Sequence, residues 1–333
     1  MDNADWDSVL QFVAEPLELN YPDKHDDRSI NAVPLQVPTP PESHDGSPVV
    51  DDPEPSSTLV SVSTTFFPGA HLNSAPPDVA LLSSDDVFFY VHSHLLLAAS
   101  DNGFRSLLPA PASPNNEDPV LRVDETSTVL NTILHTVYDM SCAHYSPSFE
   151  TLSTAVHHLP LYGIDLKARI APNSPLFSVL LSHAPLVPLE LYALAASFDI
   201  YELAVSTSSH LLSFSLPTLT DEMAIQMGPV YLKRLFFLHF GRADALKRVL
   251  LPPPNAHIPT PWCDLTEQKK LTRAWALASA YLAWDARPDL STSAMESALS
   301  PLAEHLTCDQ CQTTLRERIQ NLIVQWSLVK RTI

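Results

Sequence analysis

Residues 86–100, DVFFYVHSHLLLAAS, change rhythm halfway along. Val87 to His92 is aromatic and β-branched, which suits the pleated surface of a strand. From His94 the chain reads LLLAA, strong helix formers that are apolar all round. A short strand therefore runs straight into a mostly buried helix, and the fold must supply one interior that accepts both.

The neighbouring segments predict how that interior is built. Asp78 to Leu82 reads as a preceding strand and Ser83 to Asp86 as a turn, which together make a hairpin. Helices follow over His94–Ala99 and Asn102–Leu108, and PASPNNEDP (111–119) is a loop by composition. Val120 to Glu125 alternates as a third strand. Ser127 is placed to N-cap a helix with Val129, Leu130, Ile133, Leu134 and Val137 on one face, and Phe149–Ile164 is a further helix ending near Gly163.

This order of hairpin, two helices, strand and helices resembles the BTB/POZ domain, a protein-interaction fold. Asp78-Val79-x-Leu81 is similar to its opening strand, and Phe89-x-Val91-His92 to the segment that enters its first helix. Leu96, Ser100 and Phe104 stand where the family has H-x-x-x-L … S … F. VLRVDETSTVLNTILHTVYDM (120–140) resembles the strand and helix ending in LxxxY, here at Tyr138, and AVHHLPLYGI (155–164) the helix pair that follows. The resemblance covers roughly residues 75–166. It implies an α+β domain, mostly helical with a small sheet, that self-associates as a homodimer or recruits a protein partner. The partner class would be a cullin-type ubiquitin-ligase scaffold or transcriptional machinery. In such a fold Asp78, Phe89, His92, Leu96, Ser100, Phe104 and Tyr138 are structural, with His92 capping or hydrogen bonding at the strand–helix joint.

Three positions depart from the family pattern. Ser93 stands where many members carry Arg or Lys, which bears on the charged groove that binds corepressor peptides. The gap from Ser100 to Phe104 is one residue longer and contains Asn102-Gly103. The extra N-terminal strand of swapped dimers has no clear counterpart unless STLVSVSTTFF (57–67) supplies it.

Beyond residue 166 the pattern is all-helical. VPLELYALAASFDIYELAVSTSSHLLSF (187–214) puts Leu191, Leu194, Ala195, Phe198, Leu203, Leu211 and Leu212 on buried faces, and resembles helices found after the BTB domain in a set of fungal proteins. Residues 227–251 predict two short helices around Gly241, and PPPNAHIPTP (252–261) a stiff connector. Three more helices are predicted over Leu265–Trp284, Ser291–His305 and Thr313–Lys330. The organisation expected is a tail over 1–57, a BTB/POZ-like domain over 58–166 and a helical domain over 167–333.

Composition supports the tail and excludes several function classes. Residues 1–57 hold nine of the 31 prolines and carry a net charge of −11, whereas the rest of the chain carries −8 of the total −19. Such a segment buries too little apolar area to offset its ordering entropy, so disorder is expected. Within it Trp6, Val9, Leu10 and Val13 share a helical face, suited to a partner's groove or, as the plainer reading, to resting on its own domain. Thr39-Pro40 and Ser47-Pro48 fit proline-directed phosphorylation. An acidic chain with only short basic clusters disfavours nucleic acid. Six scattered glycines, with no GxGxxG and no Walker sequence, argue against phosphate-cradling nucleotide enzymes. The start is acidic where a signal peptide would be basic, prolines interrupt the longest uncharged run, and four cysteines are no disulfide framework. A location in the cytoplasm, the nucleus or both is expected, with no membrane partner.

No nucleophile–base motif such as GxSxG or HExxH appears, so a non-enzymatic role without cofactors is expected. One constellation stands apart: His305-Leu-Thr-Cys308-Asp-Gln-Cys311. A CxxC pair offers two thiolates to one tetrahedral metal, with His305 near in sequence and Cys263 or His257 as a distal fourth ligand. A single CxxC is a weak signal, and free cysteine packs well as a small hydrophobe. No metal is therefore expected, and a zinc or redox protein built on His305, Cys308, Cys311 and Cys263 is the alternative.

Overall fold

The computed structural model describes residues 61–108 and 120–333. The acidic tail with its Trp6–Val13 helix and two proline-directed sites, and the 111–119 loop, lie outside the described residues. A four-stranded sheet runs in the order β1-β3-β2-β4, formed by β1 (Ser61–Val62), β2 (Val79–Leu82), β3 (Val87–Val91) and β4 (Val120–Arg122). β2 and β3 make the expected antiparallel hairpin, with Val79 opposite Val91 and Leu82 opposite Phe88. β4 lies parallel to β2, and β1 parallel to β3. All four residues of β2 are buried, as suits a central strand. Ser61–Val62, within the 57–67 segment, thus form an edge strand of the chain's own sheet. Ser63 N–H donates to the Phe88 carbonyl at 2.8 Å and Tyr90 N–H to that of Phe66 at 2.9 Å. The fully buried Phe66 ring anchors the edge against His135 and Tyr138.

The strand–helix joint is present, but the helix is not mostly buried. In α1 (Ser93–Ala99) only Leu96 is enclosed, while Leu97 and Ala98 are exposed. Seven residues make only two turns, and one stripe of them faces the interior. The apolar excess of LLLAA therefore remains on the surface. The helix predicted over Asn102–Leu108 is replaced by a left-handed turn at Gly103–Ser106, with φ of 69°, 52°, 60° and 59° in succession. The segment from Ser100 to Phe104, with Asn102-Gly103 in it, reverses hand and still delivers Phe104 to the interior, fully buried. Left-handed non-glycine residues cost roughly 1–2 kcal/mol each. Hydrogen bonds from Phe104 N–H to Ser100 Oγ (2.7 Å) and from Arg105 N–H to Asn102 Oδ1 (2.8 Å) offset part of that.

After β4 come α2 (Ser127–Val137) and α3 (Phe149–His158), the latter tightening into a 3₁₀ turn over Leu159–Tyr162. The predicted face of α2 is buried throughout. Gly163 then turns left-handed, and a Cβ there would stand 2.3 Å from Asp101 Oδ1, so only glycine fits.

The remaining helices are α4 (Leu166–Arg169), α5 (Pro175–Ser182), α6 (Pro188–Ser197), α7 (Tyr201–Ser208), α8 (Asp221–Leu250), α9 (Leu265–Asp285), α10 (Thr292–Leu299) and α11 (Asp309–Ser327). One apolar core runs from Phe66 to Leu235, continuous across residue 166. The buried residues of the last helices, among them Leu250, Trp275, Leu299, Leu315 and Trp326, lie outside that cluster. Gly241 does not divide the 227–251 segment. One interior glycine costs about 1 kcal/mol, and the buried stripe Tyr231, Leu235, Leu238, Arg242, Leu246 and Leu250 continues past it. The break falls instead at Gly228 (φ 69°, ψ 167°), because Pro229 bars its predecessor from helical geometry.

α8 and α11 close on each other through two arginines. Arg242 on α8 donates to the carbonyls of Pro288 (2.6 Å), Val329 (2.9 Å) and Lys330 (3.0 Å), and its guanidinium lies over the Trp326 ring. Arg318 on α11 donates to the carbonyls of Pro252 (2.7 Å) and Val249, at the end of α8. Arg318 thereby satisfies one carbonyl that the last turn of α8 leaves without an internal donor, and both arginines hold the chain just past the helix ends. Among the described residues no helix is long and apolar enough to cross a membrane.

Candidate functional site

Two constellations stand out. The first gathers the seven residues that carry the family resemblance. Phe89, Leu96 and Phe104 are enclosed in the core. His92, 2% exposed, occupies the joint between β3 and α1. Its Nε2 lies 3.0 Å from the Ala75 carbonyl, an acceptor only, so Nε2 carries the proton and Nδ1 accepts from the Tyr138 hydroxyl at 2.8 Å. That hydroxyl also accepts the His92 N–H at 2.9 Å, and burial pushes Tyr138 up to about 12. His92 thus ties strand, helix and Tyr138 together, the hydrogen-bonding role expected, although its side chain does not cap α1. Capping falls to Asp78, which accepts both the N–H (2.7 Å) and the hydroxyl of Ser93. Ser93 thus anchors the start of the helix. Ser100 accepts from Phe104 N–H and donates to the Tyr162 carbonyl at 2.6 Å.

The same device recurs at α2. Thr126, not Ser127, is the N-cap residue, and it makes no side-chain cap bond. Asp85 in the hairpin turn takes its place, accepting from Ser127 N–H at 2.7 Å and Ser127 Oγ at 2.6 Å. Burial raises the pKa of Asp78 and of Asp85, but the Ser93 and Ser127 hydrogen bonds outweigh it and hold both carboxyls below 3.8. Asp85 had no sequence signal beyond its place in a turn. Nor had Glu125, the last residue of the alternating strand. It is buried, with its carboxylate meeting the Tyr162 hydroxyl, His158 Nδ1 at 3.0 Å and Arg105 at 3.6 Å. Burial and this carboxylate both push the Tyr162 phenol up.

The second constellation lies among the last helices. The connector after α8 turns back on itself, with Thr260 and Cys263 exchanging backbone hydrogen bonds of 3.0 and 3.2 Å. His257 and Cys263 thereby stand on one tight arm just before α9. Cys308 is the N-cap residue of α11, and Cys311 sits in its first turn. The ligating atoms of His257, Cys263, Cys308 and Cys311 all lie within 4.8 Å of one another. Cys263 and Cys311 sulfurs are 3.7 Å apart, and His257 Nε2 is 3.3 Å from Cys311 Sγ and 3.4 Å from Cys308 Sγ. Cys263 and Cys311 are buried, and His257 and Cys308 half-buried.

Of the residues anticipated here, Cys263, Cys308 and Cys311 converge, His257 is the histidine that joins them, and His305 is not in the group. The backbone explains the exchange. His305 ends a 3₁₀ turn (Ser300–His305), and Leu306 and Cys308 are extended. Three extended residues span about 10 Å, which carries the exposed His305 away. Backbone N–H groups at the start of α11, that of Cys311 foremost, draw the Cys308 thiol down to about 7. Burial and the adjacent Cys263 push Cys311 up to about 12.

No family model matches the sequence, and no curated protein is significantly similar to it.

Proposed function

We propose that this chain is a non-enzymatic protein–protein interaction module of BTB/POZ type that pairs with a second copy of itself. The observation that carries the reading is the first constellation. Phe89, Leu96 and Phe104 lie in one core with Tyr138 packed against it and bonded to the buried His92, while Asp78 and Ser100 tie down the rim. The elements of this unit run hairpin, α1, a turn in place of the expected second helix, strand, α2 and α3. The choice of a second copy rests on α1, whose Leu97 is 40% exposed beside the half-buried Leu95. An apolar helix face of this kind is suited to an isologous contact. Because β1 pairs within its own chain, the dimer proposed is a face-to-face one rather than one exchanging strands. A cullin-type scaffold or transcriptional machinery would then be recruited by the pair.

Multi-angle light scattering of the full chain tests this. A dimer mass at micromolar concentration that falls to the monomer in Leu97→Asp is expected. A strictly monomeric wild type, or a dimer indifferent to Leu97→Asp, removes self-association through α1.

A further inference from the structure

The geometry points to a structural zinc site: we propose that His257, Cys263, Cys308 and Cys311 bind one Zn²⁺ as a closed tetrahedron. This is independent of the interaction role proposed above. The argument starts from distances. Zn–S bonds of about 2.3 Å and Zn–N bonds of about 2.1 Å set tetrahedral edges of about 3.8 Å between sulfurs and about 3.6 Å between sulfur and nitrogen. The separations here are 3.7 Å for the sulfurs of Cys263 and Cys311, and 3.3 and 3.4 Å from His257 Nε2 to the sulfurs of Cys311 and Cys308. A disulfide would need the sulfurs at about 2.05 Å. Hydrophobic packing alone has no reason to bring three sulfurs and a ring nitrogen so near a common centre.

The surroundings supply what a metal site requires beyond its ligands. His257 Nδ1 lies 2.8 Å from the Ile258 carbonyl, which only accepts, so Nδ1 holds the proton and Nε2 offers its lone pair inward. The buried Gln268 accepts the His257 N–H at 3.1 Å and steadies that arm. The opposite arm is the first turn of α11, whose N–H groups favour negative charge on Cys308. On binding, the thiol protons leave to solvent, and three thiolates with a neutral imidazole fill all four positions. No position is left open for water or substrate, which marks the site as structural. Soft sulfur donors in a tetrahedral S₃N set favour zinc over hard cations such as Mg²⁺ or Ca²⁺. Its effect is to fasten the connector and the start of α9 to the start of α11.

The full chain, purified with reductant and without chelator, is dialysed against micromolar Zn²⁺ and then against buffer, and its metal is measured by inductively coupled plasma mass spectrometry. One zinc per chain is expected, and Co²⁺ in its place should give the visible absorption of tetrahedral cobalt thiolate. His257→Ala, and Cys308→Ser with Cys311→Ser, should each weaken binding by roughly 100-fold or more, since even outer-shell losses reach that scale. His305→Ala and Cys142→Ser should keep the full zinc content. In the wild type, chelation should lower the melting temperature and zinc should restore it, a readout that does not depend on any variant folding. Wild type without stoichiometric zinc, a melting temperature indifferent to the metal, zinc retained by the ligand variants, or zinc lost in His305→Ala would each overturn the site.

Discussion

In residues 61–235 two hairpin carboxylates hold the starts of α1 and α2, whereas in residues 242–333 two guanidinium groups hold the chain where α8 and α11 end. Asp78 and Asp85, both on the hairpin, receive the first N–H groups of α1 and α2. Arg242 donates to the Val329 and Lys330 carbonyls just beyond α11, and Arg318 to Val249 in the last turn of α8 and to Pro252 just beyond it. The two regions also differ in how much interior they have. The first shares one large core in which the polar links sit at the edge. The second packs fewer apolar residues from four helices, and there the buried Arg242, the half-buried Arg318, indole N–H groups and the thiol–imidazole cluster stand among them. A small core supplies little hydrophobic stabilisation, so specific polar or metal-like fastenings take a larger share.

The largest effect should come from the large core. Leu130→Ala, at a fully buried position on α2, is expected to cost about 3–4 kcal/mol in urea unfolding, as a truncation whose cavity cannot collapse. If it costs less than Leu315→Ala in the second region, the ranking of the two cores is reversed. Next, Arg242→Met keeps the apolar stem but strips three carbonyls of their donor. A loss of about 3 kcal/mol is expected, with proteolysis near residues 329–333 appearing first. An effect under about 1 kcal/mol would show that packing, not the guanidinium, holds the second region.

Asp78→Ala and Asp85→Ala should each cost about 1 kcal/mol, the scale of a lost N-cap. Both carboxyls are held below 3.8 in the folded chain, so their contribution is complete above that pH and is lost as pH falls through the lowered values. Stability measured from about pH 5 downward should therefore fall less steeply in these variants. The smallest effect concerns His239 in α8. Burial lowers its pKa below 6.5, the Leu211 carbonyl only partly opposing it, and its Nε2 has no hydrogen-bond partner among the described residues. The neutral ring is the folded form, so stability is present above pH 6.5 and declines as pH drops below it. His239→Leu should flatten that decline in melting temperature, and an unchanged slope would assign it to other groups.

How much of this was legible in the sequence divides along the same line. The hairpin, the third strand and the α2 face follow from local period and turn chemistry, although the strand ends at Arg122 rather than Glu125 and its parallel pairing with β2 is a tertiary outcome. The Phe104 turn was not legible as a left-handed one. Asn102-Gly103 shows only that the chain can turn there, and the hydrogen bonds to Ser100 and Asn102 decide its hand. The LLLAA helix reads as mostly buried because composition records apolarity and not which stripe faces inward. At the second constellation the CxxC pair and Cys263 were visible as donors, but His305 was favoured over His257 by nearness in the chain. Whether three residues coil or extend between His305 and Cys308 is a tertiary outcome that spacing alone does not carry.

The crossed arginines have a consequence for the order in which this region is made. Pro252 waits 66 residues for Arg318, and Arg242 waits 88 for the carbonyl of Lys330. At about 5–20 residues per second, a ribosome leaves these partners apart for about 3–18 s. During that interval α8 has the Trp275 indole on its Leu250 carbonyl and the Pro288 carbonyl for Arg242. It lacks the Arg318 donor and the Val329 and Lys330 acceptors, so its far end should stay less protected until α11 emerges. A nascent chain halted before residue 318 would then be cut readily after Leu246, and one extended past residue 330 would not.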